Sequence, residues 1–507
     1  MNANPPKELQ DLMETVDEMF RYVKAQARLA RESFEQGGEP RGDADETERC
    51  LFARLLQLGL RLMEMYLGDL DQGNLGYRVE FGGVEYERKH TGRDATLLTV
   101  FGIVHYLQSV YYADGEDSMR PLAAMANLPE RRSSYFAQEL MMRLGTEESY
   151  AESKAFYGDI FGHSLSPRTI EQVVEDAAES CGDCYSSSPI PPPSEEGEIA
   201  VVSFDGKGIL VVPAERTTGK TREALLGCAY TAERERRDPK RLAYSLVPLE
   251  PDPQQDGGQS ALNKLAVPRV FPQLVPEEEA EQGRREARAR NISYWGSVLD
   301  SKETVFGQVQ ETANARFAAS GISEVVCLID GAPGLWRLAK EHFPDAVHIL
   351  DIMHVLKYLW QATSALSPDP DGARVLANLF LNGILLGNVG RVIGGMRIRL
   401  TKNRIKGQRR KDVEAAITYF ENHREYMHYD RYLAAGYPVA SGVIESACGH
   451  LVKDRMDKAG AQWSLNGAEA VLKLRCIRAN GHWSEFQQKR QENERKRLYA
   501  RFLDVAA

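Results

Sequence analysis

The chain has 507 residues, a formal net charge of -10 and 43% hydrophobic residues. That length exceeds one ordinary core and predicts about two to four domains. The acidic balance excludes phosphate binding through overall charge and leaves local basic stripes as the means. No run of about 18 apolar residues occurs, the start MNANPPKELQDLMETVDEMF has neither a basic n-region nor an apolar h-region, and the seven cysteines are mostly isolated. A soluble, cytoplasmic protein with reduced thiols and no membrane partner is expected.

Residues 1–72 form an N-terminal helical region, with helical spacing interrupted at GGEPRGDADETE (Gly37 to Glu48). Residues 73–120 turn to β-branched and aromatic residues with glycines, predicting a small antiparallel sheet. In 121–180 helical spacing returns. There SYAESKAFYGDIFGHSLSPRTIEQVVEDA reads as helix, turn at Gly162, Ser166 as N-cap, Pro167 at the first helical position, and a second helix. This is a helix-turn-helix outline with Arg168 as its DNA-binding candidate; an ordinary antiparallel helix pair is the other reading. Residues 181–198 are a Ser- and Pro-rich linker, and Cys181 and Cys184 make only half of a zinc site.

After the linker, IAVVSFDGKGILVV predicts a hairpin whose first strand ends at Asp205, with Gly-Lys-Gly as the turn. LLGCAYTAE supplies a third strand, a charged, Pro-rich excursion runs from about Arg234 to Asn291, and a helix is expected from Trp295 to Ala319. The apolar strand Val325 to Ile329 then ends at Asp330, and AVHILD ends at Asp351 before the helix IMHVLKYLW. If the Asp205 and Asp330 strands are neighbours, two carboxylates meet at one sheet edge and repel unless a cation lies between them.

A third carboxylate stands in GYPVASGVIESACGHLVKDRM (Gly436 to Met456). At about 100° per residue, Val443, Ile444, Ala447, Cys448, Leu451 and Val452 fill one arc, and Glu445 lies at its margin, partly desolvated. Packed beside the Asp205–Asp330 edge, it would complete an oxygen-ligand site for two magnesium or manganese ions about 3.5 to 4 Å apart.

The block from Gly436 to Trp483, with SFDGKG, CLIDGAPGLW and ILDIMHVLKYL, resembles the DDE transposases of bacterial insertion sequences, most closely the ISKra-type family. The resemblance covers about Leu97 to Phe486. It implies an α/β, RNase H-like (retroviral-integrase-like) catalytic domain in two parts, 199–360 and 436–507, the second with the catalytic Glu helix and a helical tail. Between them it implies a mostly helical insertion, 361–435, and before them α and small β DNA-binding regions. It places the catalytic, metal-binding triad on Asp205, Asp330 and Glu445, and implies a protein that binds the terminal inverted repeats of its own element and cuts and joins DNA. Family members often carry cysteine pairs near the β segment; here YERKHTGRDATLLTVFGIVHYLQSVYY has none. Asp351 and His354 match a D-x-x-H motif that resembles one in transposases with helical insertions, implying a supporting or DNA-organising role. A helix-capping Asp followed by a His on the first turn is the other reading.

The insertion carries GNVGRVIGGMRIRLTKNRIKGQRRK. Arg397, Arg399, Lys402, Arg404, Lys406, Arg409, Arg410 and Lys411 stand there almost without nearby acids, so they are DNA-binding candidates; a solvated helix face is the alternative. Lys453 and Arg455 are further candidates for the scissile strand or simple surface charges. Trp463 and Trp483 are expected to pack, Cys448 to be a small core residue, and Lys207 to contact phosphate or occupy the turn. Synapsis of two DNA ends predicts a homodimer, although no heptad pattern identifies its contact. The competing functions are a catalytically silent or domesticated DNA-binding protein on the same fold, and a nuclease acting on RNA or branched DNA.

Overall fold

The computed structural model describes residues 7–37, 39, 41–182, 190–217, 219–249 and 289–503. Two compact units emerge, one of Met1–Ser180 with Ser484–Ala507 and the other of Cys181–Trp483. Among the described residues no helix is long and apolar enough to cross a membrane.

The first unit opens with an antiparallel helical pair, α1 (Lys7–Gln36) and α2 (Ala44–Gly68). Asp43 starts α2 by accepting a hydrogen bond from the Glu46 N–H. Three antiparallel strands follow, β1 (Arg78–Phe81), β2 (Val84–Thr99) and β3 (Gly102–Tyr112), in that order. Leu97 and Val104 from the sheet join Leu67, Leu122 and Leu128 in a shared core. Helices α3 (Pro121–Met125), α4 (Tyr135–Glu147), α5 (Tyr150–Phe161) and α6 (Pro167–Ala178) complete the segment. The expected pair is present: a Ser149–Glu152 capping box opens α5, Gly162 closes it at φ 71°, and Ser166 caps α6.

The second unit is built on a five-stranded sheet of order β6-β5-β4-β7-β8. Its strands are β4 (Ile199–Leu210), β5 (Thr221–Ala232), β6 (Arg290–Ser297), β7 (Val325–Ile329) and β8 (Val347–Leu350). β5 runs antiparallel to both β4 and β6, whereas β7 and β8 lie parallel to β4. The unbroken apolar runs of β4 and β7 suit a sheet covered on both faces. Helices α7 (Pro239–Leu246), α8 (Lys302–Ala319), α9 (Pro333–His342) and α10 (Ile352–Leu366) alternate with the strands. Four more, α11 (Pro370–Leu385), α12 (Val389–Lys402), α13 (Gly407–Asn422) and α14 (Tyr429–Ala435), make the helical insertion. The chain then returns through α15 (Gly442–Ala447), a π-helical turn over Cys448–Lys453, and α16 (Leu465–Ala479), and α17 (Trp483–Leu503) belongs from Ser484 onward to the first unit.

Two local expectations are corrected. Gly206-Lys207-Gly208 is not a turn: β4 continues to Leu210, in register with β5 down to Leu210↔Thr221. The Glu223 side chain of β5 lies over Gly206. Residues 295–297 are strand rather than helix, because Trp295 fits the pleated surface beside β5, opposite Gly227; the helix begins only after the Ser301 cap. The 181–198 segment is also more than a tether. Glu196 is buried and paired doubly with Arg316 of α8 at 2.6 Å, and takes further hydrogen bonds from Thr231 and Asn291. Cys181 is buried, whereas Cys184 and most of the 234–291 excursion lie outside the described residues.

Candidate active site

Parallel pairing sets the site. Phe204 of β4 is opposite Ile329 of β7, and Ile329 is opposite Leu350 of β8. One residue beyond that row stand Asp205, Asp330 and Asp351, on backbones about 4.8 Å apart from strand to strand. β7 stops there while β4 runs on beside β5, until the Trp463 backbone bonds to the Leu210 carbonyl at its far end. Lys207, two residues along β4 and therefore on the same face, is half-buried beside the site, not at a hairpin tip.

Each carboxylate is held differently. Asp205 Oδ1 accepts from the Gly206 N–H at 2.7 Å, and the Cys448 thiol lies near the same side chain. Asp330 Oδ1 accepts from the Ala332 N–H at 2.9 Å. Asp351 is fully buried and caps α10. Its Oδ1 accepts from the Met353 and Ser441 N–H groups, and its Oδ2 from the His354 N–H and, at 2.8 Å, from His354 Nδ1. With four donors, Asp351 has little left for a cation. It instead fixes the His354 ring and commits Nδ1 to donation, which leaves Nε2 as the free nitrogen.

Glu445 enters from α15, which packs against β4 and β5, and it is half-buried. Its Oε1 lies 3.8 Å from His354 Nδ1 and accepts from Ser441 Oγ at 3.4 Å. Among the described residues, Asp351, His354 and Glu445 form a group whose ligand-type atoms lie within 4.8 Å of one another; Asp205 and Asp330 stand outside that group. They are linked to it by charge. Burial, followed by the charge of Asp351, pushes the Glu445 carboxyl up to about 7, with Asp205 adding to the rise and His354 opposing it. Burial and the Asp330 charge also raise Asp205, against the lowering effect of Cys448 and the Gly206 N–H. Burial disfavours the charged His354 ring, but its hydrogen bond to Asp351 and the surrounding carboxylates outweigh this, and its value rises.

The donor set suits a hard divalent cation: Asp205, Asp330 and Glu445 offer carboxylate oxygens in a partly desolvated, mutually repelling cluster, which cation binding would relieve. The π-helical turn immediately after Glu445 places Cys448 toward Asp205, a feature common at functional helices and invisible to a strict helical reading.

Sequence reasoning missed the clamp on the Asp330 loop. Tyr419 of α13 and His423, the residue that caps its C-terminus one turn on, reach the loop from the insertion: the Tyr419 hydroxyl donates to the Asp330 carbonyl at 2.8 Å, and His423 Nε2 contacts the Gly331 carbonyl at 2.9 Å. Tyr358 of α10 stacks on Tyr419 at 3.8 Å. Gly331 has φ 101°, and a Cβ there would sit 2.6 Å from the Tyr419 hydroxyl, so both conformation and space require glycine. Tyr429 of α14 likewise donates to the Leu350 carbonyl at 2.6 Å, beside Asp351.

The basic candidates separate. Arg397 pairs with Glu421 at 2.7 Å and Arg410 with Glu414 at 2.8 Å, which corrects the expectation that acidic partners are missing. Arg409 donates to the Ala365 carbonyl, and Arg399 lies over the Phe380 ring. Lys402, Arg404, Lys406 and Lys411 are exposed and carry no ion pair among the described residues. Arg168 and Lys453 are also exposed. Arg455 is buried over the Trp463 ring, which removes it from the surface contacts expected of it. Trp463 and Trp483 are both buried, and Trp463 donates to the Met456 carbonyl.

No protein-family model matches the chain, and no curated protein matches it. Among solved structures it is similar to the Drosophila P element transposase strand transfer complex, at 9% identity and a TM-score of 0.23, covering 71% of this chain and 80% of that one. A likeness this loose carries no argument about fold or chemistry.

Proposed function

We propose that the protein is a DNA transposase of the DDE type, which binds the ends of its own insertion sequence and catalyses phosphodiester hydrolysis and strand transfer on an RNase H-like core. The reading is supported chiefly by Asp205 and Asp330 on adjoining parallel strands and by a half-buried Glu445, supplied after a helical insertion, whose carboxyl the Asp205 charge helps to raise. The RNase H-like reading is supported by the sheet, three antiparallel strands followed by two parallel strands added beside the first.

In this reading Asp205, Asp330 and Glu445 would hold two magnesium or manganese ions. Bound there, the cations supply activation of water or a 3′-hydroxyl and neutralise charge on the leaving oxygen. The protein's own groups prepare the geometry. Asp351 anchors His354, and Tyr419 and His423 fix the backbone of the Asp330 loop. Lys402, Arg404, Lys406 and Lys411 supply sequence-independent phosphate contacts.

Cleavage of labelled DNA carrying the element ends tests the proposal. Wild type is expected to form 3′-hydroxyl ends with magnesium or manganese and none with chelator; Asp205→Asn and Asp330→Asn are expected to bind the ends normally and cut nothing. End binding without cutting by the wild type would point to a silent DNA-binding derivative instead. Cutting by either variant would remove the triad.

A further inference from the structure

The α1–α2 pair carries more apolar surface than its own packing uses. Along α1, one row of residues at steps of three and four faces α2. Leu12 is buried and Thr15, Met19, Tyr22 and Gln26 are half-buried. Arg61 reaches Thr15, Arg54 lies 4.7 Å from the Tyr22 ring, and Gly42 approaches the Gln26 backbone so closely that a Cβ would be 2.5 Å from its carbonyl.

One residue around the helix runs a second row of the same period: Met13, Val16, Phe20, Val23, Ala27 and Ala30. From Met13 to Ala27 this row points outward, and Ala30 at its end is half-buried. Phe20 is 65% and Met13 59% exposed, and Phe34, which continues the period, is 88% exposed. α2 presents Phe52, Leu55, Leu62 and Tyr66, all exposed and also spaced for one helix face. Between the helices Val23, Ala27 and Ala30 meet Leu51, Phe52 and Leu55 in an open apolar groove of about 650 Å³. A monomer rarely leaves so long an apolar stripe in water, and a strict heptad row is the pattern that seats another helix.

Charge identifies the occupant. From Asp11 to Glu18, α1 carries Asp11, Glu14, Asp17 and Glu18 with no base; from Arg21 to Arg31 it carries Arg21, Lys24, Arg28 and Arg31 with no acid. Laid antiparallel on a second α1, each acidic half meets a basic half, whereas a parallel arrangement sets like charges together. Size matches as well. With the twofold axis just past Phe20, Met13 falls opposite Ala30, Val16 opposite Ala27 and Phe20 opposite Val23, large against small through the seam. Asp17 and Lys24 then flank the same seam and pair across the axis, twice by symmetry.

We infer that the exposed seam of α1, with the flanking face of α2, is a self-association surface on which two copies of this chain join antiparallel into a four-helix bundle. The inference stands on α1 and α2 alone, so it survives or fails independently of the strand-transfer reading.

Sedimentation velocity on the full chain over a range of concentrations, without DNA or metal, tests it. Wild type is expected to run as a concentration-dependent dimer. Asp17→Lys and Lys24→Asp are each expected to weaken the dimer by about tenfold or more by placing like charges together twice, and the combined Asp17→Lys, Lys24→Asp variant to restore it. Phe20→Asp is expected to give monomer with unchanged helix content by circular dichroism. A wild-type monomer at all concentrations, a dimer indifferent to Phe20→Asp, or a combined variant no better than the single ones would overturn the proposal.

Discussion

Replacing Glu445 with glutamine should stabilise the metal-free protein above neutral pH and abolish the stabilisation that magnesium or manganese provides. In the folded chain burial and the Asp351 charge hold this carboxyl at about 7 against an ordinary 4.5. At about 1.36 kcal/mol per pKa unit, full linkage would cost the ionised wild type about 3.4 kcal/mol at pH 8. The side chain is 36% exposed, so solvent screening reduces the expected gain to about 1–2 kcal/mol. Because the folded value lies above the unfolded one, the proton's stabilisation is complete below about pH 4.5 and lost as pH rises through about 7. The advantage of Glu445→Gln should therefore be small at pH 5, grow toward pH 7 and level off above it. Thermal unfolding in chelator should show a midpoint raised by about 2–5 °C at pH 8. Adding magnesium or manganese should then stabilise wild type by mass action and leave the variant almost unmoved. Equal midpoints at pH 8 in chelator, or the same difference at pH 5, would refute the account of Glu445 as a charge held out of water for a cation.

Tyr419→Phe keeps the stack on Tyr358 but removes the hydrogen bond to the Asp330 carbonyl, a loss of about 1 kcal/mol. Cleavage should fall about fivefold with DNA-end binding unchanged, and wild-type cleavage rates would show the clamp to be idle. Arg316→Met strands the buried Glu196 carboxylate and should destabilise the second unit by about 3–5 kcal/mol in urea unfolding; a loss below 1 kcal/mol would show that water reaches the pair. Neutralising Lys402, Arg404, Lys406 and Lys411 together should flatten the dependence of DNA affinity on salt by about 0.9 in log-log slope per lost phosphate contact. Arg397→Gln and Arg410→Gln should do less, because Glu421 and Glu414 already hold those side chains; an unchanged slope in the fourfold variant would make the cluster an ordinary wet surface.

Elements defined by local chemistry were legible in the chain itself. Ser166-Pro167 opens α6 and Gly162 closes α5 where cap preferences put them, and the apolar runs ending at Asp330 and Asp351 are strands. Errors arose where a distant partner overrides local preference. Gly206-Lys207-Gly208 looks like a turn until the β5 ladder pairs with it, and Trp295 joins the helical pattern after it until Gly227 makes room in the sheet. For the site, the residue types of Asp205, Asp330 and Glu445 were readable, whereas Tyr419 and His423 were not, since no pattern near them points to a loop about 90 residues earlier. The exposed seam of α1 is hidden in the sequence for another reason: two rows of one period overlap on one helix, and sequence alone merges them into a single amphipathic face.

The hydrogen bonds that α13 makes to the Asp330 and Gly331 carbonyls bear on how this chain can be dissected. A segment between two acidic residues invites treatment as a removable accessory, to be trimmed for crystallisation or swapped to change DNA preference. Here the removable piece contributes the wall against which the second aspartate is set. A shortened protein with a Gly-Ser bridge in place of 361–435 would leave two backbone carbonyls without their donors and a left-handed glycine without its neighbour. Grafting between related chains should thus exchange α13 together with the strand-to-helix loop it grips.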